Sequence, residues 1–213
     1  MKVNDFLSMS NIDYVLQDKN NQATINMQYT KPVIGIDRDG IINYLSDSPI
    51  RSQEQFIPIE GSLEAIALMR SKGYQIVIIF DQPDISKGLM TQYDVDQMNN
   101  YLFQLLGMAG CPSIDGLYYC TSSDKRDIYA KPNDGMFKRA ESELGLSFRK
   151  GGYYVGDSIE DLESAEKVKA TPVLIGTGNY QHTLERLNKF PKKELKRKVK
   201  FYNSLYEFAE SLE

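Results

Sequence analysis

Across 213 residues the chain has no tryptophan, one histidine and two cysteines. Many metal centres and most nucleophilic triads draw on His and Cys. A His-rich zinc centre is therefore excluded, and a Ser-His-Asp or Cys-His mechanism has only His182 to run through. That residue follows Gly178-Asn179-Tyr180-Gln181, a loop entering a helix, and reads as a surface histidine. Cys111 and Cys120 lack CxxC spacing and read as free thiols in a reducing compartment. Long apolar runs are missing too. The longest, Ile76 to Phe80, is far below a membrane span, and residues 1–8 hold no stretch of signal-peptide length. A cytoplasmic protein with no membrane partner is expected.

Acids are plentiful: 29 Asp plus Glu against 25 Lys plus Arg give a net charge of −4. Chemistry on this chain should draw on Asp, Lys and a hard cation, and nucleic acid is not an expected general partner. The exception in charge is a basic segment, Lys189, Lys192, Lys193, Lys196, Arg197, Lys198 and Lys200. It reads as a solvated connector, with phosphate, anionic lipid or RNA as its competing ligands. No aromatic residues interleave to make a stacking platform.

From residue 32 onward, short apolar runs alternate with amphipathic stretches, the grammar of βα units and a parallel sheet. The runs are Val33–Ile36, Ile76–Phe80, Leu117–Cys120, Tyr153–Val155, Pro172–Ile175 and a tail strand near Val199–Tyr202. Leu63, Ile66, Ala67 and Met69 recur at helical spacing before Gly73, which is placed to end the helix. Thr91 with Asp94 predicts a cap for a helix bearing Val95, Met98, Leu102 and Leu105 and ending at Gly107. Asp134 likewise reads as the cap of a helix bearing Phe137, Ala140 and Leu144, with Gly145 beyond; Ser158 with Asp161 opens a helix carrying Leu162, Ala165 and Val168. A last helix bears Leu205, Phe208 and Leu212. Residues 1–31 depart from this grammar. Ile12, Tyr14 and Leu16 alternate with polar residues, as do Ile25, Met27 and Tyr29, which predicts a β-hairpin on the sheet edge, with 32–213 as one domain.

The loops at the carboxyl ends of parallel strands form the binding crevice. Three of these ends carry aspartate: Asp37-Arg38-Asp39-Gly40, Asp81-Gln82 and Gly156-Asp157-Ser158-Ile159-Glu160-Asp161; a fourth loop leads into Ala130-Lys131-Pro132. Crowded carboxylates call for a cation among them, and hard oxygen donors suit Mg²⁺. A nearby lysine would neutralise a phosphoryl group, and aspartate is a competent nucleophile toward phosphorus.

This ordered set, spread over about residues 32–178, resembles the haloacid dehalogenase (HAD) superfamily of aspartate-nucleophile phosphatases. Within it, the opening 33–43 and the stretch 73–88 are similar to the small-capped branch of histidinol-phosphate and D-glycero-D-manno-heptose 1,7-bisphosphate phosphatases. The resemblance implies a three-layer α/β Rossmann-like fold with a central parallel sheet and a minimal cap. It also implies hydrolysis of a small phosphomonoester, a phosphorylated sugar first among them, with Mg²⁺. Asp37 would attack phosphorus, Asp39 would act as general acid and then base, and Lys131 would hold the phosphoryl group. The metal would take the Asp37 and Asp157 carboxylates and the Asp39 backbone carbonyl, with Asp161 at most behind them. Asp81, Gln82 and Lys87, with Lys131, are the expected substrate contacts, Lys125 and Arg126 being further candidates. The chain also departs from the pattern. Phe80 stands where the family has a Thr or Ser that donates to the phosphoryl group, and Asp81 where it has Asn. One lost charge-assisted hydrogen bond would cost about 1.5–3 kcal/mol, hence about tenfold to a hundredfold in rate. That opens a competing reading, a catalytically impaired binding or regulatory protein; the basic segment opens another, a phosphatase of nucleic-acid ends. The loop after Tyr119 keeps only Cys120 of a zinc-binding set, so no structural zinc is expected.

Overall fold

The computed structural model describes residues 12–14, 31–189 and 192–213. Its centre is a sheet of β1 (Ile12–Tyr14), β2 (Val33–Ile36), β3 (Gln75–Asp81), β4 (Gly116–Cys120), β5 (Tyr153–Gly156), β6 (Thr171–Ile175) and β7 (Lys200–Tyr202). The spatial order is β1-β4-β3-β2-β5-β6-β7, parallel throughout except for β1. The near-continuous apolar runs of β2 to β6 follow from this arrangement, because a parallel sheet is covered on both faces. The order also fixes where a ligand fits. The chain runs outward from β2 through β3 to β4, then returns to the other side of β2 as β5, leaving a crevice at the carboxyl ends of β2 and β5.

One face of the sheet is covered by α1 (Ser62–Ser71), α2 (Gln92–Met108) and α7 (Leu205–Ser211), which close over Ile34, Ile36, Ile76, Ile78 and Phe80. The other carries α3 (Gly135–Leu144) and α4 (Ile159–Val168) over Val33, Val77, Ile79 and Tyr154. The alternation of adjacent strand residues between the two clusters is the period of two that a pleated strand imposes. Beyond α4 lie α5 (Tyr180–Leu187) and the short α6 (Lys193–Lys196), packed through Leu187 and Leu195. Between β2 and α1 only one 3-10 turn, Gln53–Gln55, is inserted.

The helix signals in the sequence are mostly realised. Thr91 and Asp94 form a full capping box on α2, and Ser158 and Asp161 another on α4, each worth about 1 kcal/mol. Two expectations are corrected. Helix α2 runs through Gly107 to Met108, and the left-handed glycine follows at Gly110 (φ +89°), because Leu106 on this last turn is buried in the core. Asp134 makes no cap; its carboxylate pairs with Lys138, one turn on, at 2.8 Å. Of the predicted hairpin, β1 does lie antiparallel along the β4 edge, pairing Ile12 with Cys120; the arm at 25–29 falls outside the described residues.

Candidate active site

Asp37 leaves the end of β2, its amide donating to the Val155 carbonyl of β5 at 2.9 Å, so the first aspartate is tied to the crevice between the two strands. Its Oδ1 accepts from the Arg38 amide and the Lys131 ammonium, both at 2.9 Å. Lys131 Nζ also donates to Asp161 Oδ1 at 2.6 Å, while Asp161 Oδ2 caps α4 by accepting from the Ser158 amide at 3.0 Å. Across the crevice, Asp157 Oδ2 accepts from the Asn179 amide at 2.6 Å and from its side-chain Nδ2 at 3.0 Å. All four charged residues are buried. Two glycines make room for this. Gly40 (φ +83°) and Gly178 (φ +56°) press their backbones against Asp157, and a Cβ on either would overlap its Oδ2.

Asp37, Asp157 and Asp161 present carboxylate oxygens within 4.8 Å of one another. Such a set repels itself. Burial, then the charge of Asp161, pushes the Asp37 carboxyl well above the ordinary carboxylate range, with Lys131 pulling it back. The same two causes push Asp157 up to about 7, against the hydrogen bonds from Asn179. Burial works against the charge of Lys131, yet Asp161 and Asp37 outweigh it and hold the ammonium well above its usual pKa. Hard oxygen donors gathered out of water, with one lysine for three acids, fit a divalent cation such as Mg²⁺. Asp161 has both oxygens committed, whereas Asp37 Oδ2 and Asp157 Oδ1 stand outside the bonds just described and remain to hold a cation.

The remaining predicted residues separate into those the fold brings to the site and those it does not. Asp39 sits at the mouth, its carboxylate gripped by Arg38 (Nε 3.2 Å, Nη2 2.8 Å) and by Asn43 Nδ2 at 2.8 Å. Asp81 lines the cleft with Asp37 and Lys131, accepts from the Lys131 amide at 3.2 Å and lies 3.6 Å from Lys125 Nζ. Burial raises its pKa, with Lys131 and Lys125 opposing. Phe80 points to the opposite face of β3, where the Arg38 guanidinium lies 3.9 Å from its ring centroid and Tyr119 stacks at 5.3 Å. Gln82 is buried and accepts from Arg38 Nη2 at 2.5 Å. Lys87 is half exposed, pairs with Asp84 at 3.1 Å and lines neither cavity near Asp37; Arg126 points outward and holds Asp124. Sequence reasoning missed Arg38 and Asn179. Asn179 was findable, since Gly176-Thr177-Gly178-Asn179 follows a strand end as the three aspartate loops do.

Cys120, the remaining candidate of a zinc loop, is buried on β4, and burial pushes its thiol up to about 12. Three of the seven residues of the basic segment are paired within the chain: Lys192 and Lys198 with Glu163 and Glu166, and Arg197 with Glu194 at 2.8 Å. Among the described residues no helix is long and apolar enough to cross a membrane.

Comparison with known proteins agrees with this geometry. A family profile described as HAD-hydrolase-like matches residues 128–200. The D-glycero-β-D-manno-heptose-1,7-bisphosphate 7-phosphatase of Pseudomonas putida is 34% identical over 152 residues, spanning 71% of this chain and 86% of the relative. The D-glycero-D-manno-heptose-1,7-bisphosphate 7-phosphatase of Chlorobaculum tepidum is 33% identical over 164 residues, spanning 71% and 82%. The crystal structure of D,D-heptose 1,7-bisphosphate phosphatase from B. bronchiseptica, complexed with magnesium and phosphate, matches with a TM-score of 0.76 and 26% identity, over 84% of this chain and 97% of that one.

Proposed function

Because the chain belongs to the haloacid dehalogenase superfamily, in the branch of the heptose-bisphosphate phosphatases, we propose that it hydrolyses a small phosphorylated sugar with Mg²⁺ through an aspartyl-phosphate. The observation that carries this is the buried pairing of Asp37 with Lys131 beside Asp157 at the switch point of the sheet. Asp37 and Asp157 would hold the cation, which when bound draws charge off the phosphoryl oxygens. Asp37 attacks phosphorus, and the bond to the sugar oxygen breaks as Asp39 delivers a proton to it; Asp39 then takes a proton from the water that cleaves the acyl phosphate. Lys131, pinned by Asp161, presents its ammonium to the phosphoryl group and opposes the burial and the Asp161 charge that raise the Asp37 carboxyl. The Asp81 carboxylate, where the family has Asn, lines the cleft together with Glu160 and opposes a phosphate there, which makes a slow enzyme the expectation.

The test is Mg²⁺-dependent phosphate release from a panel of phosphomonoesters by the native protein and Asp37→Asn. Release by the native protein that disappears in the variant is expected. Release unchanged in Asp37→Asn would overturn the nucleophile, and no release from any ester would favour a binding protein.

A further inference from the structure

Two lysines line the cleft around Asp37, and they are held in opposite ways. Lys131 is buried, with Asp37 at 2.9 Å and Asp161 at 2.6 Å. The Lys125 side chain is 69% exposed, and its only paired acid, Asp81, lies 3.6 Å away, outside hydrogen-bond reach. An exposed pair at that distance binds its ammonium weakly, so Nζ leaves Asp81 at little cost. The backbone beneath Lys125 is fixed. Asn133, two residues past Lys131, donates from Nδ2 to the Lys125 carbonyl at 3.2 Å and to the Asp127 carbonyl at 2.8 Å. The Asp127 amide closes a turn onto the Asp124 carbonyl at 3.0 Å, and Arg126 is drawn outward onto Asp124. Of residues 124–127 only Lys125 therefore reaches the cleft.

A phosphoryl group entering beside Lys131 carries oxygens that accept strongly from an ammonium, and a loosely held lysine on a four-carbon stem is free to follow them. Asp81 is not stripped bare when Nζ departs, since it still accepts from the Lys131 amide at 3.2 Å. We infer that Lys125 is a substrate-contacting residue: parked on Asp81 before substrate enters, it passes to the phosphoryl oxygens and gives them a second ammonium beside Lys131. Asp81 is then the anion that competes with the phosphate for Lys125. The inference rests on the hydrolase reading only in taking a phosphoryl group as what enters the cleft.

Inorganic phosphate with Mg²⁺ is the probe, measured by calorimetry and, in parallel, as KM for glucose 6-phosphate. Lys125→Gln should weaken phosphate binding about threefold to tenfold and raise KM alike, and Lys125→Arg should restore both. The discriminating variant is Asp81→Asn, which removes the competitor. Phosphate should bind this variant more tightly than the native protein, and adding Lys125→Gln should cost more there than in the native background. A lysine that served only as a surface partner of Asp81 would cost nothing once Asp81 is gone. Unchanged binding in Lys125→Gln, failure of arginine to restore it, no added loss in the Asp81→Asn background, or no phosphate binding by the native protein would overturn the inference. Binding in the expected order without turnover of any ester would count against the hydrolase reading and uphold the lysine's contact.

Discussion

Asp157→Asn should make the metal-free protein more stable, a result opposite in sign to most substitutions of a buried polar residue. The carboxyl of Asp157 is raised from an ordinary 3.8 to about 7 by burial and by Asp161. A raised acid in the folded state means that the unfolded chain gives up its proton first. Folding stability is therefore unaffected below about pH 4, declines between there and about pH 7, and carries the full penalty above. Three pH units of difference correspond to about 4 kcal/mol. The amide of the variant does not titrate, yet its oxygen can still accept the Asn179 amide and side chain that now bind Asp157 Oδ2. In a chelator at pH 8 the variant should exceed the native protein by up to about 4 kcal/mol, about 10 °C in Tm for a domain of this size. At pH 4.5 the gap should close. With millimolar Mg²⁺ at pH 8 the gap should narrow, since a bound cation stabilises the protein that holds it. Urea denaturation at the two pH values, with and without metal, measures all of this. A variant less stable than native at pH 8 in chelator, or a gap independent of pH, would refute the reasoning.

Lys131→Met leaves Asp37 and Asp161 buried without their cation, and a loss of about 3–5 kcal/mol is expected, larger at pH 8 than at pH 5, by the same denaturation assay. Phe80→Thr should not raise the rate of phosphate release, because position 80 faces away from Asp37; it should lower Tm by emptying space beneath Arg38. Asp81→Asn, which removes the carboxylate lining the cleft, should lower KM in that assay. Ser158→Ala should cost about 1 kcal/mol from the lost cap and also reduce kcat, since the Asp161 carboxylate that pins Lys131 then loses the hydroxyl that helps to orient it.

The sheet and its strand-end aspartates were legible for a simple reason: strands covered on both faces must be apolar, and chemistry in such a sheet has only the carboxyl ends to occupy. Val33–Ile36 and Ile76–Phe80 are short enough to be strands and alternate with helical stretches, and Asp37 and Asp81 stand at their ends. Less legible was the direction of a side chain at a strand end. Motif alignment puts Phe80 at the hydroxyl position, but alternation about β3 turns Asp81 to the cleft and Phe80 under Arg38. Arg38 itself was hidden because a residue between two aspartates reads as a spacer until its fork is seen on Asp39 and Gln82. Lys87 misled in the other direction: a lysine in a loop near the site is drawn to the nearest acid, here Asp84, three residues back.

Asp161 shows why a split reading can be true on both sides. Its position three after Ser158 explains it fully as a capping residue, and its place in the loop after β5 explains it as a site residue. A carboxylate has two oxygens, and here each has its own role. Oδ2 is locked by the Ser158 amide and hydroxyl, which orients Oδ1 onto Lys131 without further support. The cap thereby places the lysine, and the lysine in turn pairs with the Asp37 carboxylate and opposes the burial and like charge that push it toward its neutral form. A helix terminus that stabilises the fold by about 1 kcal/mol is thus also the fixed point from which the geometry of the candidate nucleophile is set.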